Sequence, residues 1–223
     1  MIGSANGVRI GITGLGVHVP ARVVTNDDLA QYVDTTDEWI STRTGIKARH
    51  FVAEGENAAT LAVEASKKAL RHAGVDGGSV DLIICGTSTA PESMPSVACL
   101  VGEEIGAPGA GAMDLAAACA GFSYAASVAS AMLRSGAAGR VLLIGSDAMS
   151  TIVDPDDRST AVLFGDGAGA VVEACLVVDR DRPRRGLRAG RRRARRPRRA
   201  RRSRSDTPLT RTSTDEGISM KIN

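Results

Sequence analysis

Asp114-Leu115-Ala116-Ala117-Ala118-Cys119-Ala120-Gly121-Phe122 is the stretch where a short apolar run gives way to a helix of small residues. From Ala118 to Ser135 the positions Phe122, Ala125, Ala126, Ala129, Met132 and Leu133 recur at three- and four-residue intervals, and Gly136 supplies a stop. The spacing predicts a strand feeding a helix, with Cys119 in the first helical turn. Unpaired backbone N–H groups and the positive end of the helix dipole meet there, which favours a thiolate and offers donors to a nearby oxyanion. That contribution is only about 0.3–1 kcal/mol, so chemistry at Cys119 needs more than the helix. A lone cysteine among alanines also reads as a small buried hydrophobe, and the stretch alone leaves both readings open.

Outward from this joint, apolar runs at residues 8–13, 80–86, 111–115, 141–145 and 168–174 read as strands. Helical patterns at 58–73, 95–105 and 119–135 lie between them. Such alternation predicts an α/β domain with a parallel or mixed sheet and helices packed on it. Thr25 with Asp28, and Thr35 with Glu38, have capping-box spacing and read as helix starts. Gly165, Gly167 and Gly169 lack the Lys-Ser or Lys-Thr of a phosphate loop and read as a tight turn between strands. The four cysteines show no metal-site spacing and no dense disulfide pattern, so reduced thiols are expected, with Cys85 and Cys99 in the core. No apolar run approaches the roughly 20 residues of a membrane span, and the first eight residues hold no continuous apolar segment, so a cytoplasmic location is expected.

Charge divides the chain in two. Through Ala174 there are 11 Lys and Arg against 20 Asp and Glu; from Cys175 onward there are 17 against 5. The net charge of +3 describes neither part. Residues 179–205 are dominated by arginine and carry almost no aliphatic and no aromatic side chains, so they cannot bury enough apolar surface to offset chain entropy. Disorder is expected there. Two origins stay open: a basic arm that binds nucleic acid nonspecifically through phosphates, or out-of-frame translation, because Arg, Ala, Gly and Pro share GC-rich codons.

Four ordered segments carry a resemblance: Val24-Thr25-Asn26-Asp27-Asp28-Leu29, Asp37-Glu38-Trp39-Ile40-Ser41-Thr42-Arg43-Thr44-Gly45-Ile46, Ala116-Ala117-Ala118-Cys119-Ala120-Gly121-Phe122, and Phe164-Gly165-Asp166-Gly167-Ala168-Gly169-Ala170. From Arg9 to about Ala174 the chain resembles the N-terminal half of a β-ketoacyl-acyl-carrier-protein synthase III, the initiating condensing enzyme of bacterial type II fatty-acid synthesis. The resemblance implies a thiolase-like fold, first of two repeats only, over residues 1–174, followed by the basic tail at 175–223. It implies a homodimer that uses acyl-CoA and malonyl-acyl-carrier protein as substrates without a cofactor, and Cys119 as the residue that takes the acyl group. It places Trp39, Arg43 and Arg158 at the CoA adenine, with Thr35 a weaker match nearby. It places Met94 where relatives close the partner's acyl pocket, and Phe164 on that pocket. A methionine at that position would be flexible enough to admit acyl groups beyond acetyl.

The resemblance also marks what is missing. Relatives draw a catalytic histidine and asparagine from their second half, and His18, His50 and His72 match neither. This chain is therefore expected to be incapable of condensation by itself, and to leave an apolar face and a strand edge without partners. Two alternatives remain: another thiolase-fold acyltransferase of the polyketide-starter type, and a non-enzymatic nucleic-acid-binding protein acting through the arginine tail.

Overall fold

A computed structural model of the chain describes residues 9–176. In chain order the elements are β1 (Arg9–His18), β2 (Arg22–Thr25), α1 (Asn26–Leu29), α2 (Asp37–Thr44), β3 (Ala48–Phe51), α3 (Ala58–Ala73), β4 (Leu82–Gly86), α4 (Val97–Glu104), β5 (Gly111–Leu115), α5 (Gly121–Ser135), β6 (Arg140–Ala148), α6 (Arg158–Ala161) and β7 (Asp166–Leu176). Five strands form one mixed sheet in the order β1-β7-β6-β4-β5. β4 runs parallel to both β5 and β6, whereas β7 is antiparallel to β6 and β1. β2 and β3 pair separately. The expected α/β architecture is therefore present, with one addition: at four residues each, and with Arg22, Arg49 and His50 among them, β2 and β3 carry too little apolar signal to be read as strands.

The central strands are buried on both faces, which is why they read as continuous apolar runs. Every residue of β4 is buried, and Val141, Leu142, Leu143 and Ile144 of β6 are fully enclosed. One face packs on α3 and α4 through Leu61, Ala65, Ala69, Val97 and Val101; the other packs on α5 through Ala125, Ala129 and Leu133. α3 spans the predicted residues. Its Asn57 side chain accepts hydrogen bonds from the Ala59 and Thr60 N–H groups at 2.9 and 3.1 Å, and Gly74 ends it at φ 65°.

Several local expectations are corrected. The Thr25–Asp28 capping box is present, but α2 is capped by Thr36, whose Oγ1 accepts from the Trp39 N–H at 3.1 Å. Thr35 stands one residue too early for that role and is buried, its Oγ1 without a partner among the described residues. Cys99 is exposed, because α4 turns Val97, Ala98 and Val101 inward and leaves Cys99 on the other side. Gly167 and Gly169 lie inside β7, opposite Asp147 and Gly145 of β6, rather than in a turn. β7 also runs past residue 174, pairing Leu176 with Arg9. The disorder and frameshift expectations fall on residues outside those described.

Among the described residues the sheet ends in edge strands β1 and β5. On β1, Ile12, Leu15 and Val17 are each more than half exposed, an apolar strip left largely uncovered by the described residues. Among the described residues no helix is long and apolar enough to cross a membrane, and no group of three side chains is arranged to hold a metal ion.

Glu173 is an oddity of this face. It sits in β7 opposite Ile12 and Val141, nine-tenths buried, with Oε2 unpartnered among the described residues. Burial holds its carboxyl above the ordinary glutamate range. An acid whose pKa is raised by folding contributes least once it ionises. Its stabilising contribution is therefore complete below the unfolded pKa and lost as pH rises through the folded one. Glu173→Gln is expected to raise the thermal midpoint at neutral pH, with the gap to the parent chain closing as pH falls below the glutamate range; a constant gap across pH would count against the assignment.

Candidate active site

β5 delivers the chain to Cys119, but not into the α-helix itself. Ala118–Ala120 form a single 3-10 turn, and α5 begins only at Gly121. Ala118 adopts φ 46°, a left-handed conformation that costs a residue with a Cβ on the order of 1–3 kcal/mol. The sharp reversal leaves Cys119 exposed at the tip of the turn. The start of α5 is pressed onto the end of β4: a Cβ on Gly86 would stand 2.9 Å from the Gly121 carbonyl carbon. No side chain caps α5; the Gly121 N–H donates to the Ala118 carbonyl, and the N–H groups that follow it in the first turn have no side-chain partner and face the place where an anionic oxygen would bind.

The other described thiols lack this setting. Cys85 is completely buried, and desolvation, reinforced by the Asp114 and Asp147 carboxylates, pushes its thiol far above the ordinary cysteine range. Cys175 is half-buried against the Leu133 carbonyl, its Sγ 3.4 Å away.

Three connections leave the carboxyl ends of the mutually parallel strands, the place where such sheets gather ligands. After β4, residues 87–96 carry Met94, 85% exposed. After β5 comes Cys119. After β6, residues 149–165 carry Arg158 and Phe164. Carboxylates hold these connections in place. Asp147 accepts from the Ser88 N–H at 2.7 Å and Thr89 Oγ1 at 3.1 Å, Asp114 from the Val97 and Ala98 N–H groups at 2.7 and 2.9 Å, and Asp166 from the Val52 and Ser150 N–H groups at 2.7 and 2.8 Å. None of the three was singled out from sequence as a positioning residue, although Asp114 directly follows the apolar strand residue Met113.

Trp39, Arg43 and Arg158 do come together. The Arg43 guanidinium lies 4.4 Å and that of Arg158 4.3 Å from the indole centre. Arg43 is one helical turn beyond Trp39 on α2, whereas Arg158 arrives from α6. A buried network fixes the two helices to each other. Asn26 donates to Asp37 Oδ1 at 2.7 Å and to the Ile46 carbonyl at 2.8 Å, and its Oδ1 accepts from Arg49 Nη2 at 2.8 Å. Arg49 Nη2 also donates to the Val162 carbonyl, just past α6, at 3.2 Å. Hydrogen bonds from Asn26 and Ser41 hold the Asp37 carboxyl below its usual range. Sequence reasoning missed Asn26 and Arg49 as positioning residues; their only signal was polar side chains beside apolar ones in short segments.

Phe164 lies elsewhere. It lines a cavity of about 540 Å³ with Arg22, Leu29, Phe51, Ser150 and Val153, and neither Cys119 nor Met94 is on its wall. The histidines are occupied structurally. His18 ends β1, with Nδ1 3.1 Å from Lys68 Nζ; His50 Nδ1 is 2.6 Å from the Pro20 carbonyl; His72 meets the backbone of Leu15. β1 is four strand spacings from β5, roughly 19 Å.

Comparison with known proteins gives a consistent result. The family profile described as 3-oxoacyl-(acyl-carrier-protein (ACP)) synthase III matches residues 113–180. A β-ketoacyl-(acyl-carrier-protein) synthase III of Rubrobacter xylanophilus is 69% identical over 71% of this chain and 50% of its own length. The crystal structure of 3-oxoacyl-(acyl-carrier-protein) synthase III from Aquifex aeolicus superposes with a TM-score of 0.73 at 49% identity, covering 74% of this chain and 54% of that one. The priming β-ketosynthase of the R1128 polyketide pathway gives 0.73 at 40% identity, covering 74% and 50%. The chain spans about half the length of the curated relatives it matches.

Proposed function

We propose, for a chain that is similar to β-ketoacyl-(acyl-carrier-protein) synthase III over about half the length of those relatives, that Cys119 accepts an acyl group from an acyl-coenzyme A. The observation that carries this is the exposed thiol on a strained turn between the carboxyl end of β5 and an uncapped helix start. The Cys119 thiolate attacks the thioester carbonyl, and the N–H groups at the start of α5 receive the oxyanion. Collapse of the tetrahedral species breaks the bond to the coenzyme sulfur, which leaves as a thiolate and takes up a proton. An acyl-cysteine remains.

Trp39, Arg43 and Arg158 form the platform for the adenine end of the coenzyme, a planar base against planar cations and an indole. Thr35 stands beside this platform in sequence, and Met94 at the carboxyl edge of the sheet governs which acyl groups fit. Phe164 is assigned to the acyl pocket on resemblance alone, since the cavity it lines does not include Cys119. Condensation with malonyl-carrier protein further requires donors for an enolate oxygen. His18 and His72 belong to the β1 side of the sheet and His50 to the β2–β3 pair, so the described residues supply acylation and not the carbon–carbon bond.

A starter-unit acyltransferase of polyketide assembly is the second reading, favoured by the 40% identity to a priming β-ketosynthase. Mass spectrometry of the chain after incubation with acetyl-CoA or isobutyryl-CoA tests both. An acyl adduct mapped to Cys119 is the expected result, and its chain-length preference separates the two readings. No adduct from either thioester overturns them.

A further inference from the structure

The two guanidiniums over Trp39 raise a steric question that the adenine reading leaves open. A planar base needs roughly 3.5 Å on each face, so a base lying between the indole and a guanidinium would separate them by about 7 Å. Arg158 stands 4.3 Å and Arg43 4.4 Å from the ring centre, so a base can take the place against the indole that either guanidinium holds only by displacing it.

The surroundings of the two arginines decide which one moves. Arg43 belongs to an eight-residue helix held at its start by Thr36, at its end by Gly45, and along its length by the Asn26–Asp37–Ser41 hydrogen bonds. Its own guanidinium is exposed, with Nη1 at 3.4 Å from the Trp39 carbonyl. Arg158 opens a four-residue helix at the end of an exposed acidic segment containing Asp154, Asp156 and Asp157, of which only Asp157 bonds into that helix. Its Nε is buried without a partner among the described residues. A desolvated, unpaired donor is costly, and it regains hydration when the side chain swings out. The closed position of Arg158 is thus held mainly by the stack, whereas Arg43 is held by its helix.

We propose that Arg158 is a gate on the Trp39 platform. Its guanidinium occupies the place that a nucleotide base takes, and the base binds through the population in which Arg158 has swung away. The proposal rests on the coenzyme A reading above and adds a kinetic property to it: base entry has a ceiling set by opening of the protein.

Trp39 is the only tryptophan in the chain, so its fluorescence reports this position alone. Without ligand, Arg158→Ala in the full chain is expected to make Trp39 more accessible to acrylamide quenching. In stopped-flow mixing with coenzyme A, the observed rate of the Trp39 signal is expected to level off with rising ligand in the parent chain and in Arg43→Ala. In Arg158→Ala it should keep rising, to at least about 10-fold above the plateau, because the open form is a minor population of the parent. Unchanged acrylamide quenching in Arg158→Ala overturns the gate, and so does a plateau that survives the substitution. If calorimetry detects no coenzyme A binding to the parent or to Arg158→Ala, the ligand reading fails instead, and the quenching measurement still decides whether Arg158 covers the ring.

Discussion

Replacing Cys119 with alanine is expected to abolish acyl transfer from acyl-coenzyme A to the protein, a loss on the order of 10³-fold or more, because no other described group can hold the acyl chain as a thioester at that edge of the sheet. The side chain is exposed, so its removal empties no packed volume, and stability should change by no more than about 0.5 kcal/mol. The loss is then chemical rather than structural. Cys99→Ser supplies the matched control, since Cys99 is exposed too but lies on α4 and not on the β5–α5 turn. That variant should acylate at the parent rate. Cys85 should resist acylation and alkylation alike until the protein unfolds, because it is wholly buried and its thiol is held far from ionisation. An acyl adduct that persists in Cys119→Ala, or that follows Cys99, would remove Cys119 from the mechanism.

What the sequence revealed of this site, and what it hid, follows from how far each feature depends on neighbours. The strand-to-helix joint around Cys119 was legible because both periodicities are local. The 3-10 turn was not: Ala118 carries no signal for φ 46°, and the conformation is imposed by α5 docking against Gly86. Trp39, Arg43 and Arg158 were named from a resemblance, yet their mutual stacking depends on Arg49 reaching from β3 to Asn26 and to the carbonyl after α6. No spacing rule connects residues 26, 49 and 162. The misplaced cap at Thr35 has the opposite cause. Two adjacent threonines offer the same chemistry, and which of them caps α2 is settled by the burial of Thr35, a tertiary fact.

The fold shows the same division. α3 was bounded correctly because Asn57 and Gly74 signal its ends locally. β1 and β6 run several residues beyond their apolar runs, to His18 and Ala148, because pairing to the long β7 continues where hydrophobicity stops. β1 was expected to end at Thr13, whereas it continues through Gly14 and Gly16. Those glycines report on packing instead of on strand propensity.

Gly16→Ala is expected to be among the most destabilising single-methyl additions in the domain. An added Cβ would stand 2.1 Å from the Ala65 carbonyl oxygen and 2.4 Å from the Ala69 nitrogen, both main-chain atoms of α3 that no rotamer change can move aside. At Gly14 the same atom would meet the Ala69 carbonyl oxygen at 2.2 Å. The whole helix must therefore retreat, and α3 carries Leu61, Ala65 and Ala69 into the main core against β1 and β7. Overpacking of this kind costs about 1–3 kcal/mol, and contact with main chain puts this case at the upper end. For a domain of this size that lowers the thermal midpoint by about 6–12 °C. Gly109→Ala is the control, since a Cβ there meets nothing within 4 Å, and its effect should stay within about 1 kcal/mol. The retreat of α3 also reaches the catalytic edge, because Ser146 near the end of β6 donates to the Ala58 carbonyl in the first turn of α3 at 2.6 Å. Acylation of Cys119 in Gly16→Ala should accordingly survive at low temperature, where the fold persists, and fail together with the fold on heating. A Gly16→Ala chain that melts with the parent would mean that β1 and α3 are not in the close contact on which this architecture depends.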